Sequence, residues 1–161
     1  MKKLINICKI FIYIANLNMI SVICMCGIIG FVSNEDEPAG RLLFDGLRKV
    51  EYRGYDSAGM AILNGDKLLV EKEVGKLDQF EKLVDVDELY GSSGISHTRW
   101  ATHGGVTKLN AHPHTSCDGK IAIVHNGIIE NYQELKKELV AKKHKFTSET
   151  DTEVIVHLIE E

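Results

Sequence analysis

The chain has 161 residues, 44% of them hydrophobic and 26% charged, with a formal net charge of −4. That balance is typical of a single globular domain and excludes disordered and fibrous classes; with acidic and basic residues interleaved, no basic stripe is available to track a nucleic acid backbone. Cys8, Cys24, Cys26 and Cys117 show no CxxC spacing and three of them crowd the first 26 residues, a layout unsuited to a disulfide framework and suited to a reducing, cytoplasmic setting.

Residues 1 to 25 read as an extension rather than as part of the domain. Met1-Lys2-Lys3 and the Ile-rich run from Ile10 to Ile14 imitate a secretory signal, but Asn6, Asn16 and Asn18 interrupt the run and no A-x-A-like cleavage site follows. The apolar stretch also falls far short of the ~20 residues needed to span a bilayer. The expectation is an upstream start with Met25 as the true initiator, or else a cleaved leader, and a partial domain over residues 26 to 161.

From Cys26 the pattern alternates strand and helix. Cys26 to Val32 is a short apolar run closed by Ser33-Asn34-Glu35-Asp36, which predicts a buried strand and a turn. Pro38 then opens a helix whose Leu42, Leu43, Leu47 and Val50 share one face. Asn64-Gly65 between Gly59 to Leu63 and Lys67 to Glu73 predicts a tight antiparallel hairpin. Gly94 to His97 and Lys120 to His125 are further strand candidates, and Asn131 to Lys143 is an amphipathic helix with Tyr132, Leu135, Leu139 and Val140 inward. Thr150 and Glu153 have the spacing of a capping box for a last helix reaching Glu161.

Six blocks stand out along this pattern: Cys26-Gly27-Ile28-Ile29-Gly30 directly after a methionine, EYRGYDSAG (51 to 59), HTRWATHG (97 to 104), NAHPH (110 to 114), HNGIIEN (125 to 131) and SETDTE (148 to 153). In this order they closely resemble the glutaminase half of the glucosamine-6-phosphate synthase family, within the class II glutamine amidotransferases. The amidophosphoribosyltransferases of the same class are the alternative, but EYRGYDSAG and HTRWATHG favour the hexosamine branch. An inactive gene fragment is a further alternative. The resemblance implies an α+β N-terminal-nucleophile hydrolase fold, a four-layer αββα sandwich with two antiparallel sheets, of which this chain holds the first part. It also implies hydrolysis of L-glutamine, no cofactor, a homodimeric full-length enzyme, and a C-terminal isomerase domain, not included here, that would take the ammonia to fructose 6-phosphate. Neither nucleic acid nor membrane is an expected partner.

The chemistry of the blocks accords with that resemblance. A cysteine at a chain terminus has its own α-amine, of pKa about 7.7 to 8.0, as a base, so Cys26 would be the nucleophile once Met25 is removed. Attack on an amide creates an oxyanion, which needs donors placed in advance; Asn126 offers a side-chain N–H and Gly127 a closely approaching backbone. By resemblance, Arg99 grips the substrate carboxylate, Asp151 accepts from its ammonium, and Thr102 and His103 add polar contacts. Trp100 is assigned either to the path of departing ammonia or to the core. Arg53 either orders the surroundings of the nucleophile or forms a structural ion pair, and Tyr55 and Asp56 are scaffold.

Five of the seven histidines, His97, His103, His112, His114 and His125, lie in one stretch. His112-Pro113-His114 puts two rings on one side of an extended chain, yet no HExxH or CxxC array accompanies them, so structural, hydrogen-bonded histidines are expected and no metal site. Cys117 reads as an unremarkable thiol, and His144 and His157 as ordinary helix residues.

Overall fold

The computed structural model describes residues 27–101 and 103–161; Cys26, the extension before it and Thr102 lie outside the described residues. Strand β1 (Gly27–Glu37) is followed by helix α1 (Ala39–Arg48), hairpin strands β2 (Ser57–Asn64) and β3 (Lys67–Val74), helix α2 (Leu77–Leu83) and strand β4 (Gly91–Arg99). Short strands β5 (His114–Thr115) and β6 (Ala122–Ile123) come next, then helices α3 (Tyr132–Ala141) and α4 (Glu153–Glu160). The four long strands form one antiparallel sheet in the order β1-β4-β2-β3, and β5 pairs with β6 in a second.

Alternation along the strands gives the first sheet two different faces. Ile29, Ala58, Met60 and Ile62 point to one side, where Leu43, Phe44, Leu47 and Val50 from α1 and its end, and Leu77 and Phe80 from α2, complete a buried apolar core. Phe44 and Phe80 stack with ring centroids 6.3 Å apart. Burying each such side chain contributes about 1.5–3 kcal/mol, so this layer anchors the strands whose other face builds the site.

That other face carries His97 and Arg99 of β4, two residues apart, and Lys72 of β3. The segment leading into β5 crosses it: Lys72 Nζ donates to the carbonyls of Ala111 (3.0 Å) and Leu109 (3.3 Å), and the rings of His97, His112 and His114 stand in file at 4.3 and 4.6 Å. Helix α4 packs on β5 and β6, with α3 beside it. The layer order is therefore helix, sheet, sheet, helix, the second sheet contributing two short strands. Among the described residues no helix is long and apolar enough to cross a membrane.

Several local expectations are corrected. The residues expected to turn, 33 to 36, remain in β1, where the register with β4 shifts between Val32 and Glu37, so a bulge takes the place of the turn. Leu42 and Val140 are exposed, because α1 and α3 each bury a narrower face than the periodicity implied. Helix α2 and strand β5 are additional to the elements expected; β5 has only two residues and no periodicity to detect. His144 lies in the loop after α3, not in a helix. The capping box is also rearranged. Glu153 is the first residue of α4 and reaches back to the N–H groups of Thr147 and Ser148, both at 2.7 Å, while Thr150 Oγ1 bonds to His114 instead.

Candidate active site

The described site residues lie on a closed circuit of contacts between β4, three loops and α4. Gly27, the residue after Cys26, donates its N–H to Thr98 Oγ1 at 3.0 Å, and a Cβ there would lie 2.2 Å from Val50 Cγ2. The start of β1 is thus fixed in place by sequence that tolerates only glycine. Next to Thr98 on β4, His97 Nε2 lies 2.7 Å from Asn126 Oδ1. An amide oxygen can only accept, so Nε2 carries the proton and donates it. Burial, with smaller contributions from Arg99 and His125, lowers the His97 pKa from its ordinary 6.5 to about 4, against the opposing hydrogen bond to Asn126, so the ring is neutral at pH 7. With Oδ1 held by His97, the Nδ2 end of the Asn126 amide is turned away from that ring.

Gly127 follows at an exposed position where a Cβ would meet His125 Nε2 at 2.7 Å, so the HNG turn is also closed to any larger residue. His125 Nδ1 contacts Thr152 Oγ1 at 3.2 Å, and Ile129 N–H donates to Asp151 Oδ2 at 2.7 Å. Those two bonds fasten the 125–129 loop to the start of α4. Asp151 itself is buried.

Arg99, also buried, directs its guanidinium at loop carbonyls: one nitrogen donates to Gly105 O at 3.2 Å and another to His103 O. His103 sets its ring edge-on to Tyr132 at 6.1 Å. Asn110 Nδ2 donates to the same Gly105 carbonyl at 3.0 Å and to Glu149 Oε2 at 3.2 Å, while its Oδ1 accepts from Glu149 N–H at 2.9 Å. The circuit then closes through residues 149 to 151.

Asn110 has no role assignable from the sequence, and His97 only that of a structural, hydrogen-bonded histidine. Asn110 sits inside the NAHPH block and His97 opens HTRWATHG, so position within a block was the available signal; neither has a motif of its own. Asp56 holds the start of the loop by accepting Ala101 N–H at 2.9 Å, in keeping with its scaffold assignment. Trp100 is about half exposed and meets Tyr55 edge-to-face at 5.4 Å, so the core-anchor alternative is overturned: its neighbours on β4 point inward while the chain turns out of the sheet at this residue. Arg53 lies over the Tyr52 ring at 5.1 Å and donates Nε–H to Tyr52 Oη at 3.0 Å.

The histidine file has the structural character expected of it in part. His114 Nε2 contacts Thr150 Oγ1 at 3.0 Å, whereas His97 Nδ1 and both ring nitrogens of His112 are buried with no hydrogen-bond partner among the described residues. Burial lowers the pKa of all three, that of His114 to about 3 and that of His112 well below its ordinary value. Three neutral rings packed together therefore form the wall behind Asn126.

The layered fold is that of the N-terminal-nucleophile amidotransferases. The Bacillus subtilis glutamine phosphoribosylpyrophosphate amidotransferase complexed with ADP and GMP superposes with a TM-score of 0.70 at 29% identity, covering 84% of this chain and 29% of that one. A second solved structure, an allosteric regulatory enzyme of purine biosynthesis, gives 0.72 at 31% identity. A family model described as a glutamine amidotransferase domain matches residues 84–161, and the chain belongs to the glutamine amidotransferases. It is 56% identical over 137 residues to the glutamine--fructose-6-phosphate aminotransferase [isomerizing] of Pyrococcus horikoshii, and 55% identical over 137 residues to that of Methanococcus maripaludis. These matches cover 85% of this chain but only 23% and 22% of the relatives, so the chain spans less than a quarter of their length.

Proposed function

We propose that this domain hydrolyses L-glutamine to glutamate and ammonia through a thioester on Cys26, and that the ammonia is delivered to fructose 6-phosphate in an isomerase domain of the whole enzyme. The choice of the hexosamine branch over the purine branch rests on 53–56% identity to relatives named for the former against 29–31% to structures of the latter. The observation that supports the chemistry best is the orientation of Asn126, whose carbonyl end is held by His97 so that its N–H end is turned away from that ring.

In this mechanism the α-amine of Cys26 takes the thiol proton, directly or through water, and the sulfur attacks the side-chain carbonyl carbon of glutamine. Asn126 Nδ2–H and Gly127 N–H receive the developing oxyanion. Collapse expels the amide nitrogen as ammonia, which carries away the transferred proton, and water then cleaves the thioester to glutamate and free thiol. Arg99 and Asp151 hold the carboxylate and ammonium of the substrate, with Thr102 and His103 alongside. Trp100, at the exposed turn out of β4, belongs on the exit side for ammonia, and Arg53 braces Tyr52 near the start of the site. His97 serves as a positioning residue. A cytoplasmic homodimer of the full-length enzyme is part of the same reading.

The test is intact-mass analysis after rapid quenching with glutamine. The form whose mass begins at Cys26 accumulates one glutamyl group, and Cys26→Ala does not. A form that retains residues 1 to 25 has an amide in place of the α-amine, leaving a thiol of pKa about 8.5 without its base, and gives no adduct. Equal turnover by that uncleaved form would refute the terminal-nucleophile assignment.

A further inference from the structure

Away from the glutamine site, four side chains that the proposed hydrolysis does not use converge at the far end of α4. Cys117 lies in the turn after β5, His144 in the loop after α3, and His157 and Glu160 one helical turn apart on α4; one ligand atom from each lies within 4.8 Å of all the others. Cys117 Sγ is 3.8 Å from His144 Nδ1 and 3.7 Å from His157 Nδ1, and Glu160 Oε2 is 3.1 and 3.2 Å from the same two nitrogens. A tetrahedral zinc ion with Zn–S of about 2.3 Å and Zn–N or Zn–O of about 2.0 Å separates sulfur from nitrogen by about 3.6 Å and nitrogen from oxygen by about 3.3 Å. The two sulfur–nitrogen and two nitrogen–oxygen separations already match those spacings.

We propose that Cys117, His144, His157 and Glu160 form a structural Zn2+ site. The hydrogen bonds around the cluster point the same way. His144 Nε2 faces Glu161 Oε1 at 2.9 Å and can donate to it, which leaves Nδ1 as the nitrogen turned to the cluster, 3.1 Å from Glu160 Oε2. A carboxylate against each ring nitrogen calls for positive charge between Nδ1 and Glu160, which a proton on Nδ1 or a metal ion in its place supplies. The carboxylate of Glu161 on the outer nitrogen also fixes the tautomer and ring orientation, as partners of metal-bound histidines do. Lys145 N–H points at Cys117 Sγ at 3.3 Å, while Cys117 N–H and Asp118 N–H donate to the two oxygens of Glu160 at 3.1 and 3.2 Å and favour its ionised form. One thiolate, two imidazoles and one carboxylate suit zinc rather than calcium or magnesium, which prefer all-oxygen shells. On binding, the thiol releases its proton to solvent.

Such an ion would tie together three segments that share no strand or helix: the β5–β6 turn, the loop after α3, and α4. Helix α4 starts beside Asp151 and β5 contains His114, so the ion would brace the layer that carries half of the glutamine site. It would do so without touching substrate.

The test uses the full chain stripped of metal and titrated with Zn2+ alone at neutral pH, then with Co2+ as a spectroscopic substitute. One Zn2+ per chain should survive dialysis, thermal stability should climb with the logarithm of free Zn2+, and Co2+ should give tetrahedral d–d bands with a thiolate charge-transfer band in the near ultraviolet. Cys117 is exposed and His144 lies in a loop, so Cys117→Ser and His144→Gln should fold normally. Cys117→Ser should lose the charge-transfer band, each variant should weaken Zn2+ by at least about tenfold, and the double variant should lose the thermal response. Stoichiometric zinc retained equally by the double variant would assign the metal to the remaining cysteines and overturn the proposal. So would the absence of any zinc response in wild type, which would leave a protonated histidine as the cation of the cluster.

Discussion

Because His97 is buried, neutral and bonded to Asn126, acid should loosen the site wall before it unfolds the rest of the domain. In the unfolded chain the ring titrates near its ordinary 6.5, and in the folded chain near about 4, chiefly because burial disfavours the imidazolium. The unfolded state therefore binds more protons between those values. The stabilisation is complete above pH 6.5, declines as pH falls, and is gone below pH 4. From linkage, His97 alone should remove about 2 kcal/mol of stability between pH 7 and pH 5. His112 and His114 are shifted in the same direction, so they add to the total acid sensitivity. The variant His97→Gln retains an N–H donor for Asn126 Oδ1 and cannot titrate. Urea unfolding of wild type and variant at the two pH values gives the difference due to His97 together with its coupling to His112. The variant should lose about 2 kcal/mol less than wild type over that interval. An identical loss in both would mean that His97 is charged or solvated in the folded state, and the orienting role given to it would fall.

Arg99→Lys should raise the KM for glutamine sharply despite its conserved charge, because a point ammonium cannot serve the His103 and Gly105 carbonyls and a substrate carboxylate together. A KM within about twofold of wild type in steady-state assays would remove Arg99 from substrate binding. Gly127→Ala should lower turnover by about 100-fold or more, since the new methyl would have to displace the His125 ring that now lies 2.7 Å from its position and would shift an oxyanion donor with it. Unchanged turnover would show that the Gly127 backbone does not contribute.

The family was legible in the sequence because its six blocks stand in one order along the chain. The Asn64-Gly65 turn between two strand runs and the apolar stripe of α1 likewise produced the elements expected. The failures also have physical causes. Leu42 and Val140 fit a helical stripe but face solvent, since the width of a buried face is set by what packs on it. Thr150 and Glu153 have the spacing of a capping box, but Thr150 bonds to His114 and Glu153 reaches back to Thr147 and Ser148. What only the tertiary structure decided is where polar groups find partners across long separations. Asn126 takes its orientation from His97, 29 residues earlier, and Asn110 joins the Gly105 turn to Glu149, 39 residues on. Cys117 meets His144 and His157 across 27 and 40 residues. Such pairings leave no period and no fixed spacing in the chain, because a hydrogen bond or a metal ligand needs only an atom in place, and folding can bring that atom from anywhere.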